Sequence, residues 1–177
     1  MHLPIRTPRR AVLITVLAVT VCSISRAASA HITVAPGAFA PGTTALAAFR
    51  IGHGCTGSPA TTALRVEMPA GVQSVRPQAK PGWVIRVEPA TDSRVAAVIW
   101  TGRLPADQFD DFPVMLRLPE AGTVLYFPSV QTCGPVSEQW TQIPDAGESA
   151  GALKHPAPSL RLAPADAPEA GHNHEGP

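Results

Sequence analysis

The sequence predicts an all-β fold, a single β-sandwich of the immunoglobulin-like or fibronectin-like type. Apolar and polar residues alternate with a period of two over several short runs. Turn-forming glycines and prolines separate these runs roughly every ten residues, and no run has the periodicity of a long helix. About six to eight short strands with this spacing are typical of a sandwich.

Three runs alternate most clearly, and three more are candidate strands. The clear runs are residues 62–68, 83–88 and 114–118, and the candidates are residues 44–51, 94–100 and 123–130. In the first run Leu64, Val66 and Met68 lie on one face, as expected of a half-buried strand. Pro113 and Pro128 interrupt apolar runs. Since proline cannot donate to a β-ladder, each predicts an edge strand or a bulge.

Composition divides the chain into three predicted segments: a leader at 1–30, the sandwich at 31–145 and a flexible tail at 146–177. The leader begins with the basic residues Arg6, Arg9 and Arg10. An apolar stretch follows over 11–21, and small residues end at Ala30. This pattern is that of a secretory signal peptide, so the predicted location of the mature protein is the periplasm.

The predicted tail is rich in alanine and proline and offers too little apolar surface to fold alone. Residues 159–162 are the exception, since they could add one short strand. Near the end of the tail lie His172 and His174. These histidines are either auxiliary metal donors or part of a solvated polar end.

Removal of the leader changes the charge of the chain, because it takes away four arginines and no acidic residue. The predicted mature chain then has ten Lys and Arg residues and thirteen Asp and Glu residues, so the formal net charge changes from +1 to about −3. The mature chain has no basic patch, which argues against nucleic acid as a partner. No remaining stretch is long and apolar enough to predict a membrane span.

Two cysteines remain in the predicted mature chain, Cys55 and Cys133. An even pair in an exported chain indicates a disulfide. It would close a loop of roughly 79 residues and stabilise the fold by about 4 kcal/mol in the chain-entropy model. The alternative is a two-thiolate metal site. Neither cysteine belongs to a C-x-x-C pair, which favours the disulfide.

Cleavage after Ala30 would make His31 the first residue of the mature chain. A histidine in that position offers a metal two nitrogens, its free α-amine and its ring Nδ1, which close a small chelate ring. Nitrogen ligands in a square plane suit copper(II). The α-amine, with an ordinary pKa of about 7.7–8, must lose a proton to bind, so the affinity is expected to fall in acid. The alternative is a histidine that follows the cleavage site by chance.

Other positions are also candidates for a metal site. His53 lies between two glycines and close to Cys55, so it is either a ligand on a fixed loop or an exposed loop residue. Trp140 either covers a metal with its indole or packs in the core. The adjacent Asp110 and Asp111 would point to opposite faces of a strand. That arrangement suits a single metal ligand or a solvated loop, but not a paired acid–base site.

The sequence lacks the motifs of several common enzyme classes. It contains no G-x-S-x-G, no H-E-x-x-H, no P-loop and no dinucleotide-binding fingerprint. The sequence therefore predicts a binding protein rather than an enzyme.

Several short motifs together resemble the YcnI-type copper-binding domain. They are His31-Ile-Thr-Val after the leader, Phe49-Arg50-Ile51, residues 59–72, Lys80-Pro-Gly-Trp83, Ile99-Trp-Thr-Gly102, residues 104–112, Leu125-Tyr-Phe-Pro128 and Trp140. The resemblance covers residues 31–144. It implies an extracytoplasmic β-sandwich that holds one copper(II) ion through its N-terminal histidine, with a carboxylate ligand and a nearby tryptophan.

On this resemblance His31 matches the chelating histidine, and Trp140 matches the tryptophan. The carboxylate has no counterpart, because the segment that would carry it reads Ile51-Gly-His-Gly-Cys55. His53 is the expected substitute, with Asp111 as the alternative. An imidazole in place of a carboxylate would remove one negative charge and make the ligands nearly all nitrogen. We expect this change to raise the relative preference for copper(I).

The sequence thus predicts a periplasmic copper(II)-binding protein that serves as a chaperone or buffer in copper homeostasis. Its expected partners are one copper ion and a membrane copper transporter or another periplasmic copper chaperone. Two other functions stay open. A chelating histidine also supports copper-dependent oxidative chemistry, although an indole over the metal would block the open position that an oxidase needs. The other is a metal-free extracytoplasmic interaction module, since the fold alone does not choose a function.

Overall fold

A computed structural model describes residues 31–163 of the 177-residue chain. In this part of the chain the strands are β1 (Thr33–Ala35), β2 (Ala38–Phe39), β3 (Thr44–Ile51), β4 (Ala60–Glu67), β5 (Ser74–Pro77), β6 (Val84–Pro89), β7 (Val95–Pro105), β8 (Asp110–Arg117), β9 (Val124–Tyr126), β10 (Ser129–Cys133), β11 (Val136–Trp140) and β12 (Ser159–Leu162). A short 3₁₀ turn covers Ala150–Ala152. Residues 31–163 include no helix with the length and apolar character needed to cross a membrane.

The strands form two large sheets and a small third one. The order is β1-β3-β8-β5 in the four-stranded sheet, β11-β10-β4-β7-β6 in the five-stranded sheet and β2-β12-β9 in the three-stranded sheet. Neighbouring strands are antiparallel, except that β2 and β12 are parallel. The predicted all-β sandwich is confirmed.

Side chains from both large sheets form one apolar core. Phe49 on β3 and Phe112 on β8 are fully buried, and Trp100 on β7 belongs to the same core from the other sheet. The rings of Trp100 and Phe112 meet edge to face, with centroids 5.5 Å apart. Leu64 and Val66 on β4 are also fully buried. Their shared face is the one that the period-two pattern predicted.

Pro113 and Pro128 interrupt the predicted strands, and the structure shows what each does to its strand. Pro128 lies between β9 and β10, so residues 123–130 form two strands rather than one. Pro113 lies on β8, which is an inner strand between β3 and β5 and keeps an unbroken register with β3. The prediction of an edge strand or a bulge at Pro113 was therefore wrong.

The position of Pro113 within β8 explains why it is tolerated. Its carbonyl oxygen accepts a hydrogen bond from the Gln78 N–H at 2.9 Å, on the side where β5 lies. The amide and carbonyl of one strand residue point to the same side. The β5 ladder ends with Pro77 opposite Val114. The missing N–H of Pro113 would therefore point towards the end of β5 and not towards β3. The ladder with β3 keeps its register, and a single donor at the end of β5 is missing.

The chain beyond residue 145 packs onto the sandwich as far as the structure describes it. β12 pairs with β2 and β9, and its Leu160 is fully buried. The short strand expected at residues 159–162 is confirmed, and it lies beyond residue 145, where the predicted sandwich ends. The apolar surface that buries Leu160 comes from the partner strands, which the composition of the tail could not reveal. The predicted leader, His172 and His174 lie outside the described residues.

Candidate metal centre

His31 lies two residues before β1, at the start of the described chain. β1 is an outer strand of the four-stranded sheet and pairs with β3, where Thr33 is opposite Arg50. The half-buried His31 lines an open cleft of about 360 Å³ together with the beginning of β1 and residues 156–159. The residue predicted to chelate copper is therefore placed where a small solute can reach it.

Trp140 ends β11 and is 2% exposed. Its ladder partner is Ser129 on β10. The ring of His31 meets the indole edge-on, with centroids 5.4 Å apart and planes at 76°. Trp140 is thus part of the core and also contacts His31 directly. Its indole Nε1 is buried and has no hydrogen-bond partner among the described residues.

A second imidazole, that of His155, packs on the same indole. Its ring centroid lies 5.1 Å from that of Trp140, with the planes at 63°. Gln142 holds the backbone of this segment. The Gln142 side-chain oxygen accepts the His155 N–H at 2.6 Å, and the Gln142 N–H donates to the His155 carbonyl oxygen at 3.0 Å.

The sequence-based prediction missed His155. Its ring Nδ1 is buried and lacks a hydrogen-bond partner within the described chain. The available clue was the isolated Lys154-His155 pair in a segment poor in other polar side chains. That clue was passed over because residues 146–177 were predicted to be a flexible tail.

His53 lies in the loop between β3 and β4 and is half-buried. Its Nδ1 is 2.7 Å from the Gly54 carbonyl oxygen. Because a carbonyl oxygen can only accept, Nδ1 carries the proton in this contact, which leaves Nε2 with the lone pair in the neutral imidazole. Metal-binding histidines commonly donate their other ring N–H to a backbone carbonyl in this way. A Cβ on Gly54 would lie 2.9 Å from Ala106 Cα, so glycine is needed for this close approach.

The predicted disulfide between Cys55 and Cys133 is present, with Cα atoms 6.0 Å apart. It joins the loop that carries His53 to the end of β10. The Gln131 side-chain amide on β10 adds a second link, since it donates to the His53 carbonyl oxygen at 2.9 Å. The loop is therefore fixed to the hairpin of β10 and β11, and β11 ends at Trp140.

The two adjacent acids lie on β8, where they extend the pairing with β3, and not in a loop. Lys80 Nζ donates to Asp110 Oδ1 at 2.6 Å. Arg50 holds both oxygens of Asp111, with Nε to Oδ1 at 2.7 Å and Nη2 to Oδ2 at 2.8 Å. The hydrogen bond from Arg50 lowers the pKa of Asp111 below its ordinary value. Asp111 already has a cationic partner, which makes it a poor alternative to His53 as a copper ligand.

Replacing Asp111 with asparagine is expected to make unfolding less sensitive to acid. The folded-state pKa of Asp111 lies below the unfolded value of 3.8, so its contribution to stability is complete above that value. The contribution is lost as the pH falls through the folded-state pKa. Solvent screening limits the loss at pH 7 to about 1 kcal/mol or less. Urea unfolding at pH 7 and near pH 3 measures both effects, with the exposed Asp107→Asn as the control. The same pH dependence in both variants would contradict the expectation.

The structure places the rings of His31 and His155 against the same indole, that of Trp140. Among residues 31–163, no three or more His, Cys, Asp or Glu side chains gather as a ready-made metal site. A histidine at the amino terminus needs fewer partner side chains to bind a metal, because it supplies two nitrogens itself, the α-amine and ring Nδ1. The buried ring nitrogen of His155 would complement this set, since imidazole suits copper(II). The donor types near His31 therefore fit copper.

Comparison with known proteins identifies a family and a fold. The family described as "Domain of unknown function (DUF1775)" matches residues 31–162. A crystal structure of an uncharacterized protein from Nocardia farcinica, described as revealing an immunoglobulin-like fold, is similar with 35% sequence identity and a TM-score of 0.63. The match covers 77% of this chain and 100% of that one. None of the curated proteins matches this chain. The immunoglobulin-like form of the sandwich is thereby confirmed.

Proposed function

The chain belongs to the DUF1775 family, and from this premise we propose that it is a periplasmic copper(II)-binding protein whose metal is held by His31 at the mature amino terminus. Its resemblance to the YcnI-type copper-binding domain supports the proposal. The observation that carries it is the packing of the His31 ring against the buried Trp140, beside an open cleft. A histidine that followed a cleavage site by chance would not need to pack against a buried indole.

The proposed chelate forms when the leader is removed. Cleavage after Ala30 converts the backbone nitrogen of His31 from an amide into a free amine, which can then bind together with ring Nδ1. The indole of Trp140 restricts the imidazole before copper arrives, so less side-chain freedom is lost on binding. His53 is proposed as a further ligand through Nε2, the nitrogen left available by its contact with Gly54.

The proposed role is that of a copper chaperone or buffer. The cleft beside His31 gives a donor or an acceptor of copper a route to this residue. A membrane copper transporter or another periplasmic copper chaperone would be the partner. The disulfide is compatible with an oxidising compartment outside the cytoplasm.

The test is a copper(II) titration of mature protein that begins with His31, followed by electron paramagnetic resonance. We expect tight binding of one copper ion per chain. The control is the same protein with one alanine placed before His31. It keeps every native side chain, turns the His31 nitrogen into an amide and moves the free α-amine to the added residue, so the chelate within His31 is lost. Equal affinity and spectrum in the two proteins would overturn the proposal. A His53→Ala protein with unchanged affinity and spectrum would remove only His53 from the ligand set.

The cleft also favours a second candidate function, a copper-dependent oxidative enzyme. A substrate could approach His31 along the open cleft. Trp140 would exclude a substrate only if its indole blocked that approach. Oxygen consumption by the copper-loaded protein in the presence of a reductant distinguishes the two functions. Turnover that disappears when an alanine precedes His31 would favour the enzyme over the chaperone.

A further inference from the structure

His155 carries a buried nitrogen that its surroundings in the described chain do not satisfy. Its ring Nδ1 is buried and has no hydrogen-bond partner. A buried polar atom without a partner is destabilising, so its presence points to a partner that arrives after folding. We propose that His155 is a copper ligand that binds through Nδ1. This inference rests on the proposed function of His31 and names a ligand that neither the sequence motifs nor the resemblance contains.

The placement of the two imidazoles on one indole supports the assignment. The ring of His31 lies 5.4 Å from Trp140 and that of His155 lies 5.1 Å from it, measured between centroids. The two imidazole centroids are therefore separated by no more than the sum of these distances. The β1 ladder begins at Thr33. His31, as the first residue of the mature chain, can turn towards His155 without breaking that ladder.

The backbone that carries His155 is already ordered. Gln142 pairs with it from both its side chain and its main chain. The Ala157 N–H donates in turn to the Gln142 carbonyl oxygen at 2.7 Å. Because Gln142 follows Trp140 by two residues, the same short segment fixes the indole and His155. A ligand held in this way loses little freedom when it binds a metal.

The cleft and the His155 segment are continuous. Pro156 and Ala157, the two residues after His155, line the cleft that His31 also lines. A metal that enters this cleft can thus reach both His31 and the backbone next to His155. The buried Nε1 of Trp140 cannot compete for the metal, since an indole N–H is a donor only. The side-chain nitrogens that could bind a metal here are therefore those of His31 and His155.

The experiment counts the imidazoles bound to copper. Mature protein with an authentic His31 amino terminus is loaded with one equivalent of copper(II) and examined by pulsed electron paramagnetic resonance, in which each bound imidazole gives a signal from its remote nitrogen. His155→Phe keeps an aromatic ring against Trp140 and removes the ligand. His53→Ala is the matched variant at the other candidate histidine. His155→Asn, which keeps a polar group near the Nδ1 position, serves if the phenylalanine variant does not fold.

The expected result is the loss of one imidazole signal in the His155 variant and an affinity for copper(II) at least about tenfold lower. The Tm of the copper-free His155→Phe protein should equal or exceed that of the wild type, because the unsatisfied Nδ1 is gone. An unchanged number of bound imidazoles and an unchanged affinity would overturn the assignment. The partner of the His155 Nδ1 would then be a buried water molecule. Failure of the wild-type protein to bind copper, or equal binding when an alanine precedes His31, would instead overturn the proposed function itself.

Discussion

Removal of the Cys55–Cys133 disulfide is expected to lower the free energy of unfolding by about 4 kcal/mol and the Tm by roughly 10–20 °C. The two cysteines are 78 residues apart in sequence, so the bond restricts a large loop of the unfolded chain. In the folded protein it also joins the loop of His53 to β10. Urea unfolding of the Cys55→Ala/Cys133→Ala variant measures the loss.

Two comparisons make this result specific to the bond. Wild-type protein treated with a reductant should unfold like the double variant, because both lack the same cross-link. Thr56→Ala changes an exposed neighbour of Cys55 and should alter the stability by about 0.5 kcal/mol or less. A double variant within about 1 kcal/mol of the wild type would show that loop closure contributes little here.

Replacing Trp140 with alanine is expected to cost about 3–5 kcal/mol of unfolding free energy. The indole is 2% exposed and contacts both His31 and His155, so its loss leaves a cavity between the two imidazoles. Trp140→Phe should cost much less, because it keeps an aromatic ring and removes the unsatisfied Nε1. Denaturant unfolding of both variants ranks them.

The matched control for Trp140 is Val84→Ala, which truncates an apolar side chain that is 73% exposed on β6. It should change the stability by about 0.5 kcal/mol or less. We also expect Trp140→Ala to weaken copper binding more than Trp140→Phe does, since only the first removes the wall behind His31. A cost for Trp140→Ala no larger than that for Val84→Ala would rule out the core role of the indole.

The sandwich could be predicted because a period-two pattern corresponds directly to a half-buried strand. β3 and β12 have the predicted bounds, and the disulfide joins Cys55 and Cys133 as predicted. Pro113 could not be placed correctly in the same way. Its tolerance depends on which neighbouring strand its missing amide faces, the end of β5 and not β3, and a local pattern does not encode that.

The candidate site was only partly predictable. His31 follows from the cleavage pattern, and Trp140 follows from the resemblance. His155 was missed because its placement is decided elsewhere, by the bridge between Gln142 and Pro156 and by the pairing of β12 with β2 and β9. An alanine- and proline-rich segment can be ordered when other strands supply the apolar surface that it lacks.

The parallel pairing of β2 with β12 connects residues 38–39 to residues 161–162, so nearly the whole domain lies between the two partners. This contact cannot form until the last strand has left the ribosome. Folds that depend on such distant pairings close slowly, in milliseconds to seconds, because loop entropy is lost before the contacts compensate for it. Until β12 is available, β2 and β9 lack the strand that lies between them, so the three-stranded sheet is among the last parts of the described domain to form.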